Sequence, residues 1–251
     1  MTSHIRWILL LLCCALAAPA RAEEPALTKL SLSVRGTACS ALLLRPSDAR
    51  ALLVLAHGQV MNIHHPFMES VSAALARQGI ATLRFNFPYA EAKRERPDPQ
   101  PLLLEAILAA VREAEQRRGS LLLLLGGKSI GAILAAVALQ GDALPGVSGL
   151  VVLGYPLHAP GRPSALNARA LDGVKRPLLV VQGTRDSMAD LTLMKALIEG
   201  IGPQARLVTI ADADHGFELP EGSTRTEQQV HDELAGAVAS FVAKLAQPAG
   251  R

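Results

Sequence analysis

The chain of 251 residues carries 25 Lys and Arg against 22 Asp and Glu, and half of its residues are hydrophobic. A charge balance this close to neutral leaves no electrostatic case for nucleic acid or an anionic membrane surface as partner. The length suits one domain with a sizeable core, and three cysteines are too few for a disulfide scaffold.

Taken in chain order, residues 1–22 read first as a secretory signal peptide. Arg6 gives a short basic start, residues 7–18 are apolar, and Ala20-Arg21-Ala22 is a small-x-small cleavage site. The apolar run falls short of the ~20 residues that span a bilayer. The mature chain then begins at Glu23, forms a single domain over 23–251 with no membrane span, and is periplasmic or secreted. Cys39 is its one remaining cysteine, so the fold must stand on its core alone.

Short apolar runs then alternate with helical patterns. Residues 30–34 and 41–44 open as two strands, and 51–56 (ALLVLA) is a buried one. Phe67, Val71, Ala74 and Leu75 recur at helical spacing up to Gly79. A strand follows at 80–85, a helix from Pro101 to Gly119, a strand at 121–125 and a helix at 130–139. Residues 150–153 and 178–181 are two more buried strands, 191–198 is helical and 206–210 is a strand. The last helix carries Val230, Leu234, Val238, Phe241 and Leu245, with Thr224 and Glu227 spaced as a capping box. Strands that are apolar throughout are buried on both faces, and their alternation with helices predicts βαβ units and a mostly parallel sheet.

Gly127-Lys128-Ser129-Ile130-Gly131 lies between one such strand and its helix, and matches G-x-S-x-G. In so tight a strand-to-helix turn the serine backbone is strained and its neighbours two residues away on either side are crowded, which glycine relieves. The turn lifts the hydroxyl above the carboxyl edge of the sheet, at a helix N-terminus able to stabilise an oxyanion. A serine nucleophile needs a base, and the base needs an acid to fix its tautomer. Asp186 stands just past the strand 178–181, and His215 stands in the loop before the last helix. The order Ser129, Asp186, His215 is the one such sheets use. The loop His57-Gly58-Gln59-Val60 follows an early strand, so the amide of Gln59 or Val60 supplies one oxyanion donor and that of Ile130 the other.

With these residues in place, the chain resembles the α/β-hydrolase superfamily, and most of all a small branch described as dienelactone-hydrolase-like. The stretches "LAHGQVMNIHHPFM", "LRFNFPYAE", "LLLGGKSIGA", "LGYPLHAPGRP", "LLVVQGTRDSM" and "DADHGF" carry the likeness. It implies an eight-stranded, mostly parallel sheet with helices on both faces, hydrolase chemistry, and the triad Ser129, Asp186 and His215. There are departures: Gln59 stands where the branch has a small residue, and no arginine follows Ile130-Gly131-Ala132. Dienelactone hydrolases proper use a cysteine nucleophile, so their substrate does not carry over.

The expected function is therefore an exported serine hydrolase cleaving an ester or related acyl bond of a small molecule, without cofactor. The competing class is a non-catalytic binding or scaffold protein on the same fold. Residues 154–177, rich in Pro and Gly, leave no room for a lid of packed helices, and Leu157 and His158 are that loop's expected substrate contacts. Lys128 is either a solvated turn residue or a contact for an anionic substrate. His57 either orders its loop or touches substrate. His57, His64, His65, His158 and His215 lack the spacing of metal ligands, so no metal is read. Asp212 and Asp214 adjoin His215 too closely to reach its Nδ1, whereas Arg84 and Tyr89 are expected to order the loop after their strand. On expression in a Gram-negative host, intact-mass spectrometry should find a mature N-terminus at Glu23; a full-length chain recovered from the cytosol contradicts the signal.

Overall fold

A computed structural model describes residues 24–141 and 143–247; the expected signal segment lies outside them. The elements are β1 (Ala26–Val34), β2 (Thr37–Arg45), β3 (Ala51–Ala56), α1 (Pro66–Arg77), β4 (Ile80–Phe85), α2 (Pro88–Glu91), α3 (Gln100–Arg117), β5 (Leu122–Lys128), α4 (Ile130–Ala138), β6 (Gly149–Leu153), α5 (Ala168–Asp172), β7 (Leu178–Gly183), α6 (Leu191–Ile201), β8 (Ala205–Ile210) and α7 (Glu227–Leu245). The strands form one sheet in the order β1-β2-β4-β3-β5-β6-β7-β8. β2 runs antiparallel to both β1 and β4, and every pairing from β4 through β8 is parallel.

The central strands are buried along their length, and the period-two alternation of side chains divides each between two cores. Leu52, Val54 and Ala56 face one way, packed with residues of α3, α4, α5 and α6. Ala51, Leu53 and Leu55 face the other way, against α1 and α7. Helices therefore cover both faces, and the carboxyl ends of β3, β5, β7 and β8 meet at one edge. Cys39, free and fully buried, belongs to the first core, and burial pushes its thiol up to about 11.

Two short helices, α2 and α5, carry no periodic signal in the sequence. α5 is the sole helix between β6 and β7, so no packed helical lid stands over that edge. No helix among the described residues is long and apolar enough to cross a membrane. The cap of α7 differs from expectation. Thr226, not Thr224, accepts from the Gln229 amide at 3.2 Å, and Gln229 Oε1 accepts from the Thr226 amide at 2.9 Å. The helix begins two residues later than the Thr224–Glu227 spacing suggests, because Thr226 carries the extended backbone a cap requires. Thr226→Ala should destabilise the fold by about 1 kcal/mol, read as a Tm loss of roughly 2–4 °C, and Thr224→Ala should leave Tm unchanged.

Candidate active site

Ser129 caps α4 with φ 56° and ψ −122°, a conformation that costs of order 1–3 kcal/mol for a residue with a side chain. The surroundings enforce it. A β-carbon on Gly127 would collide with the Gly131 main chain, and one on Gly131 would come within 2.5 Å of the His57 carbonyl. The β5–α4 turn is thus pressed directly onto the end of β3, and only glycine fits on either side of the serine. The Ser129 amide donates to Leu153 O at 3.1 Å, fixing the turn to β6 as well.

His215 lies in the loop between β8 and α7. Its Nε2 is 2.9 Å from Ser129 Oγ, and its Nδ1 is 2.7 Å from Asp186 Oδ2. The Asp186 side chain is fully buried, and that of His215 is 24% exposed. Such a buried carboxylate needs donors, and it has them: the Met188 amide at 2.7 Å and Gln182 Nε2 at 2.5 Å. Gln182 is a residue the sequence reading missed. Its signal was a single amide side chain inside the apolar strand LLVVQG, where a buried polar group must find partners. Gln182 Oε1 in turn accepts from the Tyr155 amide at 2.9 Å. Gly183 brings the two loops together, since a β-carbon there would collide with the Ala213 carbonyl. Asp214 spends its carboxylate on the Glu218 amide at 2.9 Å, and Asp212 offers its own amide to Thr184 Oγ1. Neither is the partner of His215.

The loop after β3 passes beside the serine. The point where a Gly58 β-carbon would sit is 3.6 Å from Ser129 Cβ and 3.2 Å from Met61 Sδ. Tyr89 holds this loop by donating its hydroxyl to Gln59 O at 2.8 Å, and burial pushes its phenol up to about 12, so the donor keeps its proton. Arg84 Nη1 donates to Ile63 O at 2.7 Å, and Asn86 Oδ1 accepts from the Ile63 amide at 2.9 Å. Ile130 is the first residue of α4, where helix amides lack intrahelical partners. Next to Gln59 a cavity of about 540 Å³ opens, bounded by Met61, Asn62, Tyr89, Ala90 and Lys93 among others.

All four residues named as candidate substrate contacts are buried. His57 is fully buried; its Nε2 accepts from the Phe87 amide at 3.2 Å and its Nδ1 donates to Gly58 O at 2.7 Å. Burial lowers its pKa to about 4, so the ring is neutral and orders the loop. Leu157 is fully buried in the first core. His158 accepts from the Asp190 amide at 2.8 Å and tethers the segment after β6 to the start of α6. Lys128 is 1% exposed, because the strand continues through it and turns its side chain inward rather than toward solvent or substrate. If the Ser129–His215–Asp186 chain reacts, Asp186→Asn should cost about 10⁴-fold in kcat with folding intact, by holding His215 in the wrong tautomer. Asp214→Asn should cost less than tenfold; steady-state kinetics on the two variants checks the pairing.

Comparison with known proteins agrees with this fold. A dienelactone hydrolase from Anabaena variabilis is 23% identical, with a TM-score of 0.68 over 88% of this chain and 99% of its own. An α/β serine hydrolase without lid from Xanthomonas campestris is 21% identical, with a TM-score of 0.65 over 93% and 100%. An esterase from Pyrococcus furiosus is 17% identical, with a TM-score of 0.68 over 88% and 93%. At these identities the likeness is one of fold. The sequence family described as the alpha/beta hydrolase domain matches residues 49–243, most of the described chain, and to that family this chain belongs.

Proposed function

We propose that the chain is a serine hydrolase that cleaves esters of small acyl groups through an acyl-enzyme intermediate. The observation that carries this reading is the unbroken hydrogen-bond chain from Ser129 Oγ through His215 to the buried Asp186. Ser129 Oγ attacks the carbonyl carbon while His215 Nε2 takes its proton. The amides of Ile130 and Gln59 hold the oxyanion, helped by the positive end of α4. His215 returns the proton to the leaving alcohol, and the same base then activates the water that releases the acid. No cofactor enters the cycle. Residues 1–22 export the chain, and residues 23–251 act as one domain in the periplasm or medium. A binding or scaffold protein on this fold has no use for a strained serine in line with a histidine and a buried carboxylate.

The acyl group lies in the cavity beside Gln59, against Met61 and Tyr89. Without a helical lid, a long chain extending from this cavity stays in water, and each CH₂ left there forgoes about 0.8 kcal/mol. With p-nitrophenyl acetate, butyrate, octanoate and palmitate, kcat/KM should peak at acetate or butyrate and show no jump above the micelle concentration. A fluorophosphonate probe should label Ser129, and Ser129→Ala should lose both labelling and about 10⁶-fold of kcat. A maximum at octanoate or longer refutes the open site. Activity above a tenth of wild type in Ser129→Ala refutes the serine mechanism.

A further inference from the structure

We propose that Lys128 is a positioning residue, which from inside the fold holds the main chain of His215 so that the imidazole stays in line between Asp186 and Ser129. Lys128 takes this part only if Ser129 and His215 are the reacting pair proposed above. It is the last residue of β5, next to the serine, and yet its ammonium lies beneath the histidine loop: Nζ donates to His215 O at 2.5 Å. Two aromatic rings lie beside it, with Phe67 of α1 at 5.8 Å and Phe217 at 5.6 Å from Nζ to ring centroid. The rings stack on one another at 5.6 Å. Gly154 leaves the space, since a β-carbon there would stand 2.9 Å from Nζ and 3.2 Å from His215 O.

A lysine is an expensive choice for such a place. An apolar residue would fill the volume without the desolvation penalty of a buried ammonium. What the ammonium adds is a charge-assisted hydrogen bond to one carbonyl, that of His215. The same strand end thus sets the nucleophile through the Ser129 backbone and its base through the His215 carbonyl, so the two move together. Around Nζ stand Asp186 after β7 and Asp214 in the histidine loop, both of which favour the charged form, and His65 at the start of α1, whose pKa is lowered by burial first and by the ammonium after it, against the pull of Glu218. Burial outweighs the carboxylates and lowers Lys128 to about 8. The folded chain therefore binds this proton less tightly than the unfolded chain. The burden on stability is full below pH 8 and lifts as pH rises toward the ordinary lysine value.

The test is Lys128→Met in the mature chain, assayed beside wild type and Ser129→Ala on p-nitrophenyl butyrate. Misplacing a reacting group by about 1 Å costs on the order of 10²-fold, so kcat should fall roughly 10- to 100-fold. KM should stay within about twofold, because Lys128 does not border the cavity beside Gln59. Wild-type kcat should decline above pH about 8 as the ammonium loses its proton, and the variant should lack that decline. Its Tm at pH 7 should hold, with any gain over wild type shrinking as pH rises past 8. A kcat within threefold of wild type, an unchanged alkaline decline, or a collapse of Tm alongside kcat each overturns the assignment, the last by making Lys128 a structural residue. If instead Ser129→Ala stays active, it is the serine reading that fails.

Discussion

Everything at this site depends on how closely three pieces of main chain approach one another at the end of β5. The backbone of the turn touches the last carbonyls of β3 at Gly131 and its own following helix at Gly127. No side chain fits in either gap. Ser129 is left with no relaxed conformation, and takes φ 56° because the parallel pairing of β3 with β5 and of β5 with β6 fixes the strands on both sides. The strain is local, and the two cores that clamp the sheet sustain it.

The same economy of space governs Asp186 and His215. Gly183 lets the histidine loop lie on the end of β7, and Gly154 lets Lys128 reach under that loop. Polar groups follow into the gaps that glycine opens, and each is matched. Gln182 spends one end of its amide on Tyr155 and the other on Asp186, while His57 bridges Gly58 and Phe87. Side chains that would be liabilities in an apolar interior thus become struts between loops that share no sequence neighbourhood.

Most of the sheet was legible in the sequence because strands buried on both faces write themselves as unbroken apolar runs. ALLVLA and LLVV needed only their neighbours to be placed. The serine turn was legible for a different reason: its glycines and serine fall within five consecutive residues, even though the contact that requires Gly131 comes from the distant end of β3. Asp186 and His215 could be located because each follows directly on a readable strand. What escaped notice depends on distant partners. Lys128 reads as a solvated turn residue until Phe67 and Phe217, from α1 and the loop before α7, close around it. Leu157 and His158 sit in the loop after β6, and loops near the carboxyl edge of such a sheet invite a contact reading; both are buried, which only packing shows. The true cap of α7 hinged on a two-residue choice between threonines that the apolar pattern cannot resolve.

The hydrogen bond between Ser129 and His215 joins residues 86 positions apart, and that between His215 and Asp186 spans 29. No single loop of the chain contains the assembled site, and the parallel strands that carry it are joined only by crossovers. Bringing such distant segments together requires closing long loops before any contact rewards it, and sheets of this kind form slowly. The hydrogen bonds that link Ser129, His215 and Asp186 therefore close only once β5, β7 and β8 have been brought to the same edge of one sheet.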